Sequence, residues 1–141
     1  MVRDFKELRV YRRAFDASMQ IFELSKQWPK SEKYGLTHQI RRASRSVCAN
    51  IGEAWFKRRY EKHFASKLSD STAEAAETLV WLDFAEESGY LSTDKADELR
   101  EEYRGVSGGL VKMMSQSARW CGPSHVNEDV EDVAPYHTDP S

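Results

Sequence analysis

Cysteine is nearly absent from this chain of 141 residues: Cys48 and Cys121 are the only two, and neither stands at the paired spacing of a metal site or a disulfide framework. Both are read as reduced thiols. Long apolar runs are missing as well. Charges interrupt every helical stretch before the roughly 18 residues needed to cross a bilayer, so no membrane partner is expected. The opening MVRDFKELRV has neither the apolar block nor the small-residue cleavage site of a secretory signal, and the expected location is the cytoplasm. No Gly-x-x-x-x-Gly-Lys loop offers a phosphate cradle. Three residues before His38, His63, His125 and His137 stand Gly35, Tyr60, Gly122 and Ala134, so the Glu-x-x-His pairs of di-iron bundles do not occur. With no metal site, no cofactor motif and no recognisable catalytic set, an enzyme is not expected.

What the chain does have is charge sorted by position. Between Lys33 and Lys67 nine Lys/Arg stand against two Asp/Glu; between Leu68 and Glu102 two stand against eleven. From Cys121 to Ser141 there are five acids and no Lys or Arg. The formal net charge of −2 therefore hides a strongly polarised molecule.

The spacing of apolar residues supplies the fold. At this length, one compact core and a single domain are expected. Four segments carry a 3.6-residue period and none the sustained alternation of a strand, which makes the class all-α. The first runs from about Asp4 to Trp28, with Asp4 and Glu7 placed as in a capping box and Pro29 beyond its end. It has two apolar stripes: Leu8, Tyr11, Phe15, Met19 and Phe22 on one side, and Val10, Ala17, Ile21, Leu24 and Trp28 on the other. The second, from about Leu36 to Phe56, has one seam through Leu36, Ile40, Ala43, Val47, Ile51 and Ala54. The third, about Glu61 to Glu87, has a seam through Phe64, Leu68, Ser71, Ala75, Leu79 and Leu82, and a second apolar side with Ala73, Ala76, Val80 and Phe84. The fourth starts beyond Gly89 with Ser92 or Thr93 as cap and runs to about Trp120. Short connections favour antiparallel neighbours, hence an up-down-up-down four-helix bundle over residues 1–120. Residues 121–141, with three prolines and no sustained period, are expected to form a disordered acidic tail, either solubilising or able to compete with phosphate for the basic second helix.

The stretch EKYGLTHQIRRASRSVCANIGEAW resembles the hallmark of small four-helix-bundle proteins encoded in intervening sequences of bacterial large-subunit ribosomal RNA genes. Tyr34, Gly35, Leu36, Gln39, Ile40, Arg41, Arg42, Ala43, Asn50, Ile51 and Glu53 carry the likeness, and FKELRVYRRA, WPKSEKYGL, ESGYL and GGLVKMM extend it over about residues 4–118. Gly52 and Ala54 depart from it, standing where the family tends to have Ala and Gly. The resemblance implies a four-helix protomer assembled into a ring-like pentamer. It also implies kinship with a strongly basic, nucleic-acid-binding relative, the accessory variability determinant of diversity-generating retroelements, whereas this chain is acidic overall.

Two sets of polar residues stand out on the second helix. Arg41, Arg42 and Arg45 avoid the core side of the wheel, and Lys57, Arg58, Arg59, Lys62 and His63 follow at the next junction. They either solvate the outer face and pair with the acids of the third and fourth helices, or meet the backbone of RNA or DNA without reading sequence. Arg41, Arg45, Lys57, Arg58 and Arg59 are the candidates for that contact. Gln39, Arg42, Ser46, Asn50 and Glu53 share a flank beside the core and are read as structural, with Arg42 and Glu53 bonding to a neighbouring helix or subunit. The GVSGG segment, Gly105 to Gly109, matches a nucleophile-elbow pattern but lies inside a helix with no strand before it, so its glycines are read as allowing close helix approach or a bend. The leading expectation is a non-enzymatic homo-oligomer, with Val10, Ile21, Trp28, Val80 and Phe84 as candidate subunit contacts; nucleic-acid binding is the alternative.

Overall fold

The computed structural model describes residues 1–122, and the acidic tail expected over 121–141 lies, beyond Gly122, outside the described residues. Four long helices, α1 (Arg9–Ser25), α2 (Leu36–Trp55), α3 (Glu61–Glu87) and α4 (Thr93–Ser115), are followed by one short turn of helix, α5 (Ser117–Trp120). Consecutive long helices pack antiparallel and α1 closes the square against α4, so the all-α, up-down-up-down four-helix bundle is what the chain forms. Ile40, Val47, Ile51, Phe64, Leu68, Leu82, Leu99, Tyr103, Val106 and Leu110 fill its axis.

The ends follow local chemistry. Asp4 caps only a single 3-10 turn, Phe5–Glu7, accepting from the Lys6 amide at 3.4 Å, while Glu7 accepts from the Arg3 amide at 3.3 Å. Leu8 is then extended, and its side chain drops into the core; α1 starts one residue later, not at Asp4. At the other end α1 stops at Ser25, and Trp28 turns inward to lie 5.7 Å from the Tyr90 ring. Glu32 organises the same end of the bundle: one carboxylate oxygen accepts from the Leu36 amide at 3.1 Å, capping α2, and the other from the Tyr90 hydroxyl at 2.9 Å. Gly89, at φ +79°, makes the left-handed turn after α3, and the Ser92 hydroxyl caps α4 by accepting from the Lys95 amide at 3.1 Å. The fourth helix breaks at Gln116 instead of continuing to Trp120, and the break swings Trp120 against Trp55, centroids 6.2 Å apart.

Two seams are built differently. Between α2 and α3, small side chains let the backbones approach, and hydroxyls bond across the contact: Ser71 Oγ donates to the Val47 carbonyl at 2.8 Å. Between α1 and α4 the approach comes from missing side chains. A Cβ on Gly105 would collide with the Arg13 guanidinium and one on Gly109 with Val10 Cγ1, whereas Gly108 faces open space. Gly105 and Gly109 thus let α1 seat on α4, the close helix approach expected of this segment.

Candidate interaction surfaces

The three arginines of α2 diverge. Arg41 Nε donates to Ser25 Oγ at 2.8 Å, and its guanidinium lies over the Phe22 ring at 4.7 Å, so it closes the C-terminal turn of α1. The residue expected to meet a phosphate is thus half-buried and already ties α2 to the end of α1. Arg42 bridges α2 to α3 through Glu74, at 3.4 Å, and Glu77. Burial, reinforced by the neighbouring Glu74, holds the Glu77 carboxyl above the ordinary carboxylate range, and Arg42 pulls it back down. Arg45 is exposed, with its guanidinium 5.6 Å from the Phe22 centroid.

The rest of the polar flank is mostly structural too. Glu53 accepts from Lys67 Nζ at 2.8 Å, a second α2 to α3 bridge, and this bond raises the Lys67 pKa. Asn50 Nδ2 turns back onto its own helix, donating to the Ser46 carbonyl at 2.9 Å. Gln39 lines a groove of about 300 Å³ between the start of α2 and the end of α3, with Leu36, Gly35, Glu32, Trp81, Phe84 and Ser88.

At the α2 to α3 junction the basic cluster splits. Arg58 is only 3% exposed: its Nε donates to the Trp55 carbonyl at 2.8 Å, its guanidinium stacks 3.5 Å from the Trp55 centroid, and its carbonyl accepts from the Gly122 amide at 3.0 Å. This arginine is a wedge under the end of the bundle, which corrects its placement among surface contacts. Arg59 is exposed and Lys57 half-buried, beside the exposed Lys62 and His63.

Position-by-position reading missed the strongest charge cluster. Arg100 of α4 bonds Asp83 at 2.8 Å, Asp97 at 2.9 Å, and Glu86; the three carboxylates hold its pKa above the usual guanidinium value, and Arg100, with the Thr93 hydroxyl, holds that of Glu86 below the carboxylate range. Arg13 similarly pairs with Glu102 at 2.8 Å across the α1 to α4 seam. The sequence signal was present only as a lone basic residue in an acidic run, and nothing in the spacing says which acids it meets. Burial pushes the pKa of both Cys48 and Cys121 up to about 11, in keeping with unreactive thiols.

The apolar candidates also divide. Ile21 and Trp28 are buried in the protomer's own core, which corrects their placement at a subunit contact, and Val10, partly buried, packs over Gly109. The reason is which stripe of α1 turns inward: Ala14, Ala17, Ser18, Ile21 and Ser25 do, and Phe15 and Met19 are left about half exposed. Val80 and Phe84 on α3 are exposed to the same degree.

The sequence profile of the 23S rRNA-intervening sequence protein family matches residues 6–112. No curated protein matches. A crystal structure of a protein of unknown function from the S23 ribosomal protein family of Bacteroides thetaiotaomicron VPI-5482 superposes with a TM-score of 0.68 at 23% identity, over 75% of this chain and 95% of that one, a likeness of fold. No helix among the described residues is long and apolar enough to cross a membrane. With most of its four-helix core inside the matched segment, the chain belongs to the 23S rRNA-intervening sequence protein family.

Proposed function

We propose that this protein is a non-enzymatic scaffold that works as an assembly of identical copies, five being the number its family resemblance implies. The observation that carries this reading is the pair of half-exposed apolar patches, Phe15 with Met19 on α1 and Val80 with Phe84 on α3. Each is an i,i+4 pair on a helix whose other side already fills the core, so neither is used in the protomer's own packing. The use of the polar groups points the same way. Arg41, Arg42, Glu53, Arg58 and Arg100, the residues that stand out by charge, all hold one part of the bundle to another. Sedimentation equilibrium of the full chain at micromolar concentration tests the reading: a multi-chain species is expected, and a single chain overturns it.

A second reading, contact with an RNA or DNA backbone, is favoured by one observation. Arg59, Lys62 and Lys57 lie together at one end of the bundle. Copies in a ring would repeat this cluster on one face, and repeated weak phosphate contacts multiply. Binding of a labelled single-stranded RNA that falls steeply with salt and is lost in Arg59→Gln/Lys62→Gln supports it; no binding at low salt overturns it.

A further inference from the structure

The chain leaves the bundle at its basic end. Because consecutive long helices are antiparallel, the starts of α1 and α3 share that end with the ends of α2 and α4. Two bonds mark the middle of the bundle: Ser18 Oγ with Ser44 Oγ at 3.0 Å, and Ser71 Oγ with the Val47 carbonyl at 2.8 Å. On the exit side of that level, residues 1–17, 47–72 and 104–122 hold thirteen Lys/Arg against six Asp/Glu. On the far side, residues 18–46 and 73–103 hold eight against twelve. The charge sorted along the sequence is thus a polarity along the bundle axis.

Within the basic end one cluster is open. Lys57, Arg59 and Lys62 stand within six residues at the α2 to α3 junction, the first half-buried and the others exposed, and among the described residues none of the three makes an ion pair. Arg13, Arg42 and Lys67 already pair with carboxylates, and Arg41 closes the end of α1. The second helix therefore offers a polyanion little along its length, and the junction beyond its end offers most.

The exit of the chain is pinned against this cluster. The Gly122 amide donates to the Arg58 carbonyl at 3.0 Å, and Lys57 and Arg59 are the chain neighbours of Arg58. Trp120 meets one side of the Trp55 ring system and the Arg58 guanidinium stacks on it, which fixes the place. Beyond Gly122 the sequence holds no Lys or Arg, and Glu128, Asp129, Glu131 and Asp132 fall in one run. Six to ten residues from the exit, these carboxylates can reach at most about 20–36 Å, more than enough for the neighbouring cluster. Lys30 and Lys33 lie beyond the far end of α2, a helix about 30 Å long, at the limit of that reach.

We propose that the acidic run 128–132 docks on Lys57, Arg59 and Lys62 of its own chain and stands there in place of a polyanion. Each exposed ion pair is weak alone, and four carboxylates facing three cations act together. The tether supplies the rest, holding the run at an effective concentration of about a millimolar. A polyanion arriving from solution must displace the run, so its apparent affinity falls by the fraction of chains in which the cluster is open. The docking needs no nucleic acid; its bearing on RNA is a regulation of the basic surface and rests on the second reading above.

Carbodiimide coupling, which joins a carboxylate to an amine only where they touch, tests the contact in the full chain. With unlabelled and heavy-isotope chains mixed in equal parts, mass spectrometry is expected to find residues 128–132 joined to Lys57 or Lys62 of the same chain, and the product is expected to vanish in about 1 M salt. Coupling mainly to Lys30, Lys33 or Lys112, coupling only between chains, or none at all overturns the docking. A full-length variant with Glu128→Gln, Asp129→Asn, Glu131→Gln and Asp132→Asn leaves every described residue unchanged. It is expected to bind inorganic polyphosphate about tenfold more tightly than the parent at low salt, and adding Arg59→Gln/Lys62→Gln is expected to remove that gain. Equal affinity of parent and four-amide variant, or a gain that survives the loss of Arg59 and Lys62, also overturns it. Coupling and polyphosphate binding as expected, with single-stranded RNA bound by neither chain, would end the nucleic-acid reading and uphold the docking.

Discussion

The α2 to α3 seam and the α1 to α4 seam do the same job by opposite means. In the first, Ala43, Val47, Ala54, Phe64, Leu68, Ser71 and Ala75 are all buried, and Arg42 with Glu74 and Glu77, and Lys67 with Glu53, bridge its outer edge. In the second, Gly105 and Gly109 leave the room, Arg13 and Val10 enter it, and one pair, Arg13 with Glu102, closes the edge. A seam made of side chains fails when one grows or shrinks. A seam made of absences fails only when one is filled.

The largest expected effect breaks the first seam. Ala75→Leu forces a branched side chain into a fully buried contact and should destabilise the fold by about 1–3 kcal/mol, read from denaturant unfolding. Next comes the second seam. In Gly109→Ala the added methyl meets the stiff Val10 side chain, and that clash should cancel the gain of about 1 kcal/mol in helix propensity and leave a net loss. Gly108→Ala, one residue away in open space, should keep the gain and raise the melting temperature. If Gly108→Ala and Gly109→Ala behaved alike, close approach would not be what Gly109 provides. Arg42→Ala should cost less than the core change, about 0.5–1 kcal/mol, because the pair sits at a partly exposed edge.

A pH dependence sharpens the picture of α2. Burial raises Cys48 from 9.0 to about 11 in the fold, so the unfolded chain loses that proton first as pH rises. The contribution to stability is intact below pH 9.0 and is lost progressively up to about 11; Cys48→Ala should flatten unfolding curves in that window. Alkylation of Cys48 near pH 8 should be slow in the folded chain and fast in denaturant.

How much of this could be read beforehand depends on what carried the signal. Periodicity found α3 from Glu61 to Glu87 and the buried seam of α2, because a side chain's hydropathy reports its burial directly. It found both stripes of α1 but not which one turns inward, since Ile21 and Phe15 score alike and only the packing of α2 and α4 decides. That is why Ile21 and Trp28 were expected at an interface and lie in the core. Leu8 breaks the first helix through a backbone choice that its hydropathy does not reveal. For the candidate surface, a helical wheel gives the direction of Arg41 but not the open end of α1 that it closes, nor the Trp55 ring that takes Arg58. The structural reading of Arg42 and Glu53 was accessible because α3 faces them with side chains of opposite charge, Glu74 and Glu77 for Arg42 and Lys67 for Glu53. Arg100 was not, because its three acids come from two helices joined by a turn.

Native mass spectrometry of the full chain, with its subunits counted directly, tests self-assembly most simply. The account predicts a closed assembly of several identical chains, five by family resemblance, that gives way to single chains in Met19→Glu. A parent chain found only as monomers, or an assembly that survives Met19→Glu, would contradict it.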